Sequence, residues 1–341
     1  MIIKHITIHS LRCLKDRISE RGLHLRKRSQ STRTTNTKEF IVYIAFLAIF
    51  IFFSILLRGR GFLSSENLMN IARQTAMISV MAVGMTFVLA AGEIDLSIGS
   101  IVALASLTTA LALRHSTLLV GVIVGLGTGV LIGMVNGLFV AKIGVPSFLV
   151  TLGMTGIITG LARWITQLKS IPVTNKTYNF IFGSGDIGPI SILFIWTVVL
   201  LILGQITLKK TKFGRYVLAT GGNKISALYS GINVERIKFS VMVLNGALAA
   251  LAGMLYAGRL HGARYTLGET DLMTVIAAVI IGGTSMSGGR GSVIGSIVGS
   301  LIMGMINNGL ILMGLSVDQQ MIFRGLIIII AVSLTMREKQ K

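Results

Sequence analysis

The stretch AAGEIDLSIGS, residues 90–100, sets Glu93 and Asp95 two positions apart in a run otherwise free of charge from Met77 to Leu113. Carboxylates in such surroundings suit one of two tasks. An ionisable group at bilayer depth costs roughly 2.5–3.5 kcal/mol on insertion scales, so it persists there for a reason, such as a proton relay in a carrier. The other task is local: Asp95 stands before an apolar helix. At an N-cap its carboxylate would accept hydrogen bonds from the amides of Ser97 and Ile98, favoured by the positive end of the helix dipole. Glu93 has no helix start directly after it and is left to face water, an arginine or a partner surface. The expectation is therefore a structural turn built on Glu93, Asp95 and Ser97.

Other chemistry is sparse. GGTSMSGGRGS, residues 282–292, is glycine-rich, but it lacks the lysine and the strand-turn-helix setting of a phosphate cradle and offers Arg290 as its one cation. His5 and His9 have the i, i+4 spacing of a metal pair without a third ligand nearby, so no metal site is expected. No serine or cysteine is set with histidine and an acid for nucleophilic catalysis, and nothing points to a cofactor. The single Cys13 rules out an intramolecular disulfide. The chain reads as a conduit rather than an enzyme.

The elements that must position these residues follow from composition. A chain of 341 residues that is 52% hydrophobic and 13% charged, with 40 glycines, is too apolar for a soluble domain. Uncharged runs recur along it, each approaching the roughly 20 residues a helix needs to cross the hydrocarbon. They predict an all-α polytopic membrane protein of about ten transmembrane helices: 40–57, 71–91, 98–113, 118–141, 147–162, 191–208, 239–257, 272–283, 292–314 and 321–336. The run 272–283 is too short to span unaided. Arg73 and Arg324 sit where long side chains can snorkel to the interface.

Charge orients the helices. Residues 1–38 hold ten Lys and Arg, residues 209–238 seven and residues 337–341 three, which the positive-inside rule places in the cytoplasm. Six crossings before the 209–238 loop and four after it satisfy that placement, with both termini cytoplasmic. Reading 77–113 as one interrupted crossing breaks the parity, so AAGEIDLSIGS is expected to be a turn between two crossings on the cytoplasmic side. The three basic regions carry +8, +6 and +2 of the net +20, which suits contact with anionic lipid. No soluble basic module with base-reading residues is present, so nucleic acid is not a partner. Residues 1–38 form a basic tail with no secretory signal; Ile3, Ile6, Leu14 and Ile18 make one apolar face if the tail is a surface helix, and a tail without order is the alternative. The membrane-spanning region is then 39–337.

Glycines at 121, 125, 129, 133 and 137 keep one helix face bare, as close helix packing requires. A second row stands at 291, 295 and 299, and IGSIV occurs at both 98–102 and 294–298, either by chance or as a weak internal repeat. The polar groups within the runs are neutral. Asn136, Asn245, Asn307 and Asn308 suit the path of a neutral, hydroxyl-rich solute, and helix-to-helix hydrogen bonds explain them equally well. Energy would then enter from outside the bilayer, through residues 209–238.

That loop carries a resemblance. FGRYVLATGGNKISALYSGINVERIKFSVMVLNG resembles the long cytoplasmic loop of the permease subunits of ABC importers for simple sugars, the ribose-type branch. AVGMTFVLAAGEIDLSIGS is similar to that family's motif between its second and third helices, and IGGTSMSGGRGSVIGSIVGSLIMGMINNGLILMG to its motif in the C-terminal half. The resemblance spans about residues 40 to 335, with three motifs in the right order. The basic tail is longer than the family leads one to expect, and Glu93 stands where many relatives have no acid. The resemblance implies ATP-driven import of a monosaccharide across the bacterial inner membrane by alternating access. It also implies cytoplasmic ATP-binding subunits, a periplasmic or extracellular sugar-binding protein, and a second permease in a homodimer or heterodimer. Gly214, Arg215, Gly222, Asn223, Ser230, Gly231, Asn233 and Arg236 are then expected to couple the loop to the ATPase, with SALYSGINVERI able to form a short helix along the membrane surface. A secondary, ion-coupled sugar carrier is the alternative, and a membrane scaffold without transport is a weaker one.

Overall fold

A computed structural model of the chain describes residues 41–337. The basic tail, with its apolar face at Ile3, Ile6, Leu14 and Ile18, and His5, His9 and Cys13 lie outside the described residues.

Each apolar run predicted from the sequence forms a helix. In chain order these are α1 (Ile41–Leu56), α2 (Ser65–Ala90), α3 (Ile98–His115), α4 (Leu118–Leu138) and α5 (Ser147–Thr166). A four-residue turn α6 (Lys176–Asn179) leads to α7 (Ile192–Lys210), and the loop folds as α8 (Lys212–Gly222) and α9 (Lys224–Tyr229). The C-terminal part is α10 (Val234–Leu260), α11 (Asp271–Ile281), α12 (Val293–Leu312) and α13 (Val317–Arg337). A π-helical turn, Phe139–Ile143, prolongs α4. Among the described residues seven helices are long and apolar enough to cross a membrane, not ten: α2, α3, α4 with its π turn, α5, α7, α10 and α12. α1 is described only from Ile41 and is short, and the eleven residues of α11 extend about 16 Å, half the hydrocarbon thickness.

Burial separates an inner set of helices from an outer one. The most apolar windows of α2, α12, α3 and α10 are 78, 72, 67 and 61% buried, whereas those of α4, α5 and α7 are only 17–22% buried and turn Leu, Ile, Val and Phe outward, as a lipid-facing layer does. The glycine row of α4 explains how an exposed helix still packs tightly. Gly129 meets the backbone of Gly246, Gly133 that of Met242 and Val243, and Gly137 lies on Phe239, so α4 runs antiparallel to α10 at a distance no larger side chain permits. The second row acts alike: Gly295 and Gly299 press α12 onto the backbone of Gly282 and Ala278. Two small antiparallel ribbons, β1 (Ile171–Pro172) with β4 (Gly262–Ala263) and β2 (Asp186–Ile187) with β3 (Ile190–Ser191), lie at the end of the bundle remote from α8 and α9.

Candidate functional site

The three sequence motifs, scattered from residue 82 to 314, converge at one end of the bundle. α8 begins at Thr211, whose hydroxyl accepts from the Gly214 amide at 3.1 Å, and it docks on α2 through stacked rings of Phe213 and Phe87, centroids 6.0 Å apart. Its far end brings Gly221 against the Ala90 carbonyl and the Gly289 amide, and that amide in turn donates to Ala90 O at 3.0 Å. Gly288 and Gly289 hold φ of +79° and +76° beside Gly221 and Gly222, a conformation that L side chains rarely adopt. The glycine-rich stretch 282–292 is thus a clasp closing the loop onto the end of α2.

From there the chain turns at Gly92 and runs extended along α10. Glu93 forms an ion pair with Lys238, both side chains mostly buried. Asp95 is 1% exposed and meets α10 at Asn245, seven residues beyond Lys238. Its Oδ1 accepts from the Ser97 amide at 2.8 Å and the Ser97 hydroxyl at 2.6 Å, and its Oδ2 from Asn245 Nδ2 at 2.8 Å. Asn136 Nδ2 donates to Ser97 Oγ at 3.0 Å. The expected N-cap is therefore corrected in part. The Ser97 amide is bound as predicted, but Ser97 itself occupies the cap position of α3 in helical conformation, and in place of the Ile98 amide the carboxylate takes a side-chain donor from another helix. The physical reason is burial: a carboxylate without water needs several donors, and Asn245 supplies what the short turn cannot. Asn136 and Asn245 both aim Nδ2 at this cluster and leave Oδ1 without a partner among the described residues.

The predicted coupling residues sit on the outside of the clasp. Arg215, Gly222, Asn223, Ser230, Gly231, Asn233 and Arg236 are exposed, and Gly214 is buried under α7. Several act as helix punctuation: Asn223 Oδ1 caps α9 through the Ser226 amide, Asn233 Oδ1 caps α10 through the Arg236 amide, both at 2.9 Å, and Gly231 turns the chain between them with φ +77°. SALYSGINVERI is accordingly not one helix but two, broken at Ser230–Asn233. What sequence reasoning left unnamed is the apolar ridge on α9: Ile225 is 65% exposed, Leu228 51% and Tyr229 90%. The signal was present in the fragment KISALY, whose apolar residues at i, i+3 and i+4 share one helix face. Lys238, the partner of Glu93, was missed too, being read as one more loop cation.

The four asparagines part ways. Asn136 and Asn245 serve the Asp95 cluster, and Asn308 exchanges two amide hydrogen bonds with Asn67, at 2.9 and 3.0 Å, fixing the end of α12 to the start of α2. Asn307 faces the remote half of the bundle, where its Oδ1 accepts from Arg324 at 3.1 Å. Among the described residues no group of three or more His, Cys, Asp and Glu is placed to hold a metal ion.

Comparison with known proteins accords with this geometry. A family model described as the permease component of the branched-chain amino acid transport system matches residues 67–332. The ribose import permease protein of Bacillus subtilis (strain 168) is 40% identical over 292 residues, 85% of this chain and 91% of its own. That of Escherichia coli (strain K12) is 39% identical, covering 80% and 86%. The xylose transport system permease protein of Haemophilus influenzae is 32% identical, covering 91% of this chain and 99% of its own. No solved structure matches. The chain belongs to the transport permease family that the model describes, on the side of the ribose- and xylose-type permeases.

Proposed function

We propose that this chain is the membrane-spanning permease subunit of an ATP-driven importer of a monosaccharide, and that residues 209–238 are the part that receives the stroke of a separate ATPase. The relatives named as ribose and xylose permeases support the solute class. The observation that carries the coupling role is the ridge of Ile225, Leu228 and Tyr229, held outside the bundle on the capped helix α9, which follows α8, the helix the clasp ties to α2. An apolar ridge beside the lysines and arginines of the loop is costly in water and fits a groove in a soluble partner. Hydrolysis belongs to that partner, a reading supported by relatives that are named as permeases of import systems. A push on α8 and α9 reaches the membrane interior through two rigid routes: the Gly221 contact with the end of α2, and α10, which begins four residues after Ser230 and carries both Lys238 and Asn245. Alternating access follows if the two routes move α2 and α10 relative to a second permease. On this reading 209–238 and both termini face the cytoplasm, the bilayer is the bacterial inner membrane, and a sugar-binding protein delivers the solute from outside.

Uptake by vesicles reconstituted with the partner proteins tests the function. Accumulation of labelled sugar is expected to require internal ATP and the binding protein and to survive an uncoupler. Uptake that ignores ATP and collapses with the ion gradient assigns the chain to the secondary carriers instead. Within that assay Tyr229→Ser and Leu228→Ser are expected to abolish accumulation while the protein still reaches the membrane, and normal transport by both removes the ridge from the coupling role.

A further inference from the structure

The half-length helix α11 leaves a space toward the end of the bundle remote from α8 and α9. A cavity of about 360 Å³ lies there between α2, α10, α11, α12 and α13. Three charged side chains line it: Arg259 from the last turn of α10, Arg324 from α13 and Asp271 from the first turn of α11. Their sum is one positive charge, and every other lining residue is neutral. A partly buried charge that no opposite charge meets is costly away from water, and the cost falls when a counter-ion enters.

The neighbouring side chains do not supply that counter-ion. Asp271 accepts from Tyr256 OH at 2.6 Å, and neither Arg259 nor Arg324 forms an ion pair among the described residues. Arg324 donates to the neutral Asn307 at 3.1 Å. Arg259 makes one long hydrogen bond among the described residues, to the Arg73 carbonyl at 3.5 Å, and the guanidinium of Arg73 is itself taken by Asp186 at 2.6 Å. Two guanidiniums with donors to spare match an oxyanion that offers several acceptor oxygens, as a phosphate group does. Asp271 opposes a second negative charge, so a singly charged group suits the balance best. Access narrows the choice further. Of the lining residues only Thr270 and Ile311 are exposed, and Ile311 stands in the last turn of α12. The mouth therefore lies at a helix end, the level at which lipid headgroups border the hydrocarbon, and it admits a small group rather than a segment of protein. The volume is near the lower end of the roughly 300–1,000 Å³ of small-molecule sites.

We propose that this cavity binds one anionic phosphate group, carried by a lipid headgroup or free in solution, which neutralises Arg259 and Arg324 and ties α10 to α13. The site concerns no transported solute and stands independently of the importer reading. The test uses the full-length chain purified in a neutral detergent. Its melting temperature is followed while dioctanoyl phosphatidylglycerol, dioctanoyl phosphatidylcholine or inorganic phosphate is added at constant ionic strength. Phosphatidylglycerol is expected to raise the melting temperature to a plateau, and phosphatidylcholine, whose headgroup has no net charge, to need about ten times the concentration or more. Arg259→Gln and Arg324→Gln are each expected to raise the half-saturating concentration about tenfold, the worth of one charged hydrogen bond. Asp271→Asn is expected to lower it about threefold or more, since it still accepts from Tyr256 and removes the opposing charge. A purely structural role for the arginines does not produce that tightening, and if neither arginine variant folds, Asp271→Asn decides alone. A plateau with phosphatidylglycerol but not with inorganic phosphate upholds the site and assigns it to lipid. A plateau with inorganic phosphate at similar concentration upholds it and assigns it to the free anion. A melting temperature that none of the three changes, equal response to phosphatidylglycerol and phosphatidylcholine, or a phosphatidylglycerol response left unchanged by all of these substitutions overturns the proposal.

Discussion

The two ends of the bundle are built on opposite principles. At the end that carries α8 and α9, backbone meets backbone: Gly221, Gly222, Gly288 and Gly289 interlock over Ala90, and the first charged pair beneath them, Glu93 with Lys238, is already shielded from water. At the other end polar side chains line a cavity of about 360 Å³ between α2, α10, α11, α12 and α13, and the buried hydroxyl of Thr274 has no hydrogen-bond partner among the described residues. Between them the Asp95 cluster ties the extended segment to α10 at mid-depth. The contrast describes a molecule tightly packed at the end that carries α8 and α9 and hollow at the other. On the mechanism proposed above that asymmetry inverts, and the contacts that close the α8 end are the ones the ATPase loosens.

The largest effect is expected from forcing the closed end apart. Gly221→Val places a side chain against the Ala90 carbonyl and the Gly289 amide, and overpacking backbone in this way costs about 3 kcal/mol or more. Loss of the protein from the membrane fraction, or a greatly lowered melting temperature in detergent, checks it. Next comes the joint between the ends. Asp95→Ala strips Ser97 and Asn245 of their acceptor and is expected to destabilise by about 3 kcal/mol. Asp95→Asn is expected to be milder, about 1 kcal/mol, because it still accepts from Ser97 and Asn245 can turn its unpaired Oδ1 toward the new amide. If the two variants melt alike and neither transports, the charge itself is needed and the joint is more than structural.

Reversal of the shielded pair is a smaller perturbation. Glu93→Lys puts two cations together and is expected to cost about 2 kcal/mol, most of it recovered in the double variant Glu93→Lys with Lys238→Glu. A double variant no better than the single one denies the pair a role in closing the loop end. The smallest change concerns the open end. Thr274→Val removes a buried hydroxyl without a partner among the described residues and is expected to leave stability unchanged or raise it by about 1 kcal/mol. A clear fall in melting temperature means that the hydroxyl has a structural partner.

How far the sequence disclosed this contrast differs from one end to the other. The glycine rows announced close packing, and α4 on α10 and α12 on α11 answer to them, because a bare helix face has one physical use. The shortness of the run at 272–283 announced α11, though not the cavity above it, which arises from five helices together. AAGEIDLSIGS was legible as a turn between helices and illegible as a buried one: the donor from Asn245 stands 150 positions away, and no local spacing encodes it. For the same reason Glu93 could be assigned no partner, and Asn307 and Asn308, adjacent in sequence, read alike although one faces Arg324 and the other Asn67. Ten apolar runs suggested about ten crossings, of which seven described helices have the length and apolarity; α11 is the half-length run that the sequence already marked as too short to span alone.

The asymmetry itself is open to direct measurement. In a Cys13→Ser background, Thr270→Cys at the cavity and Ala90→Cys under the clasp are each exposed to a membrane-impermeant maleimide from one side at a time, in the assembled transporter without nucleotide and with the ATPase trapped by vanadate. The account predicts that at rest Thr270→Cys reacts from outside only and Ala90→Cys from neither side, and that trapping changes both rates. Labelling of Ala90→Cys from inside at rest, or rates at both positions that ignore the state of the ATPase, contradicts it.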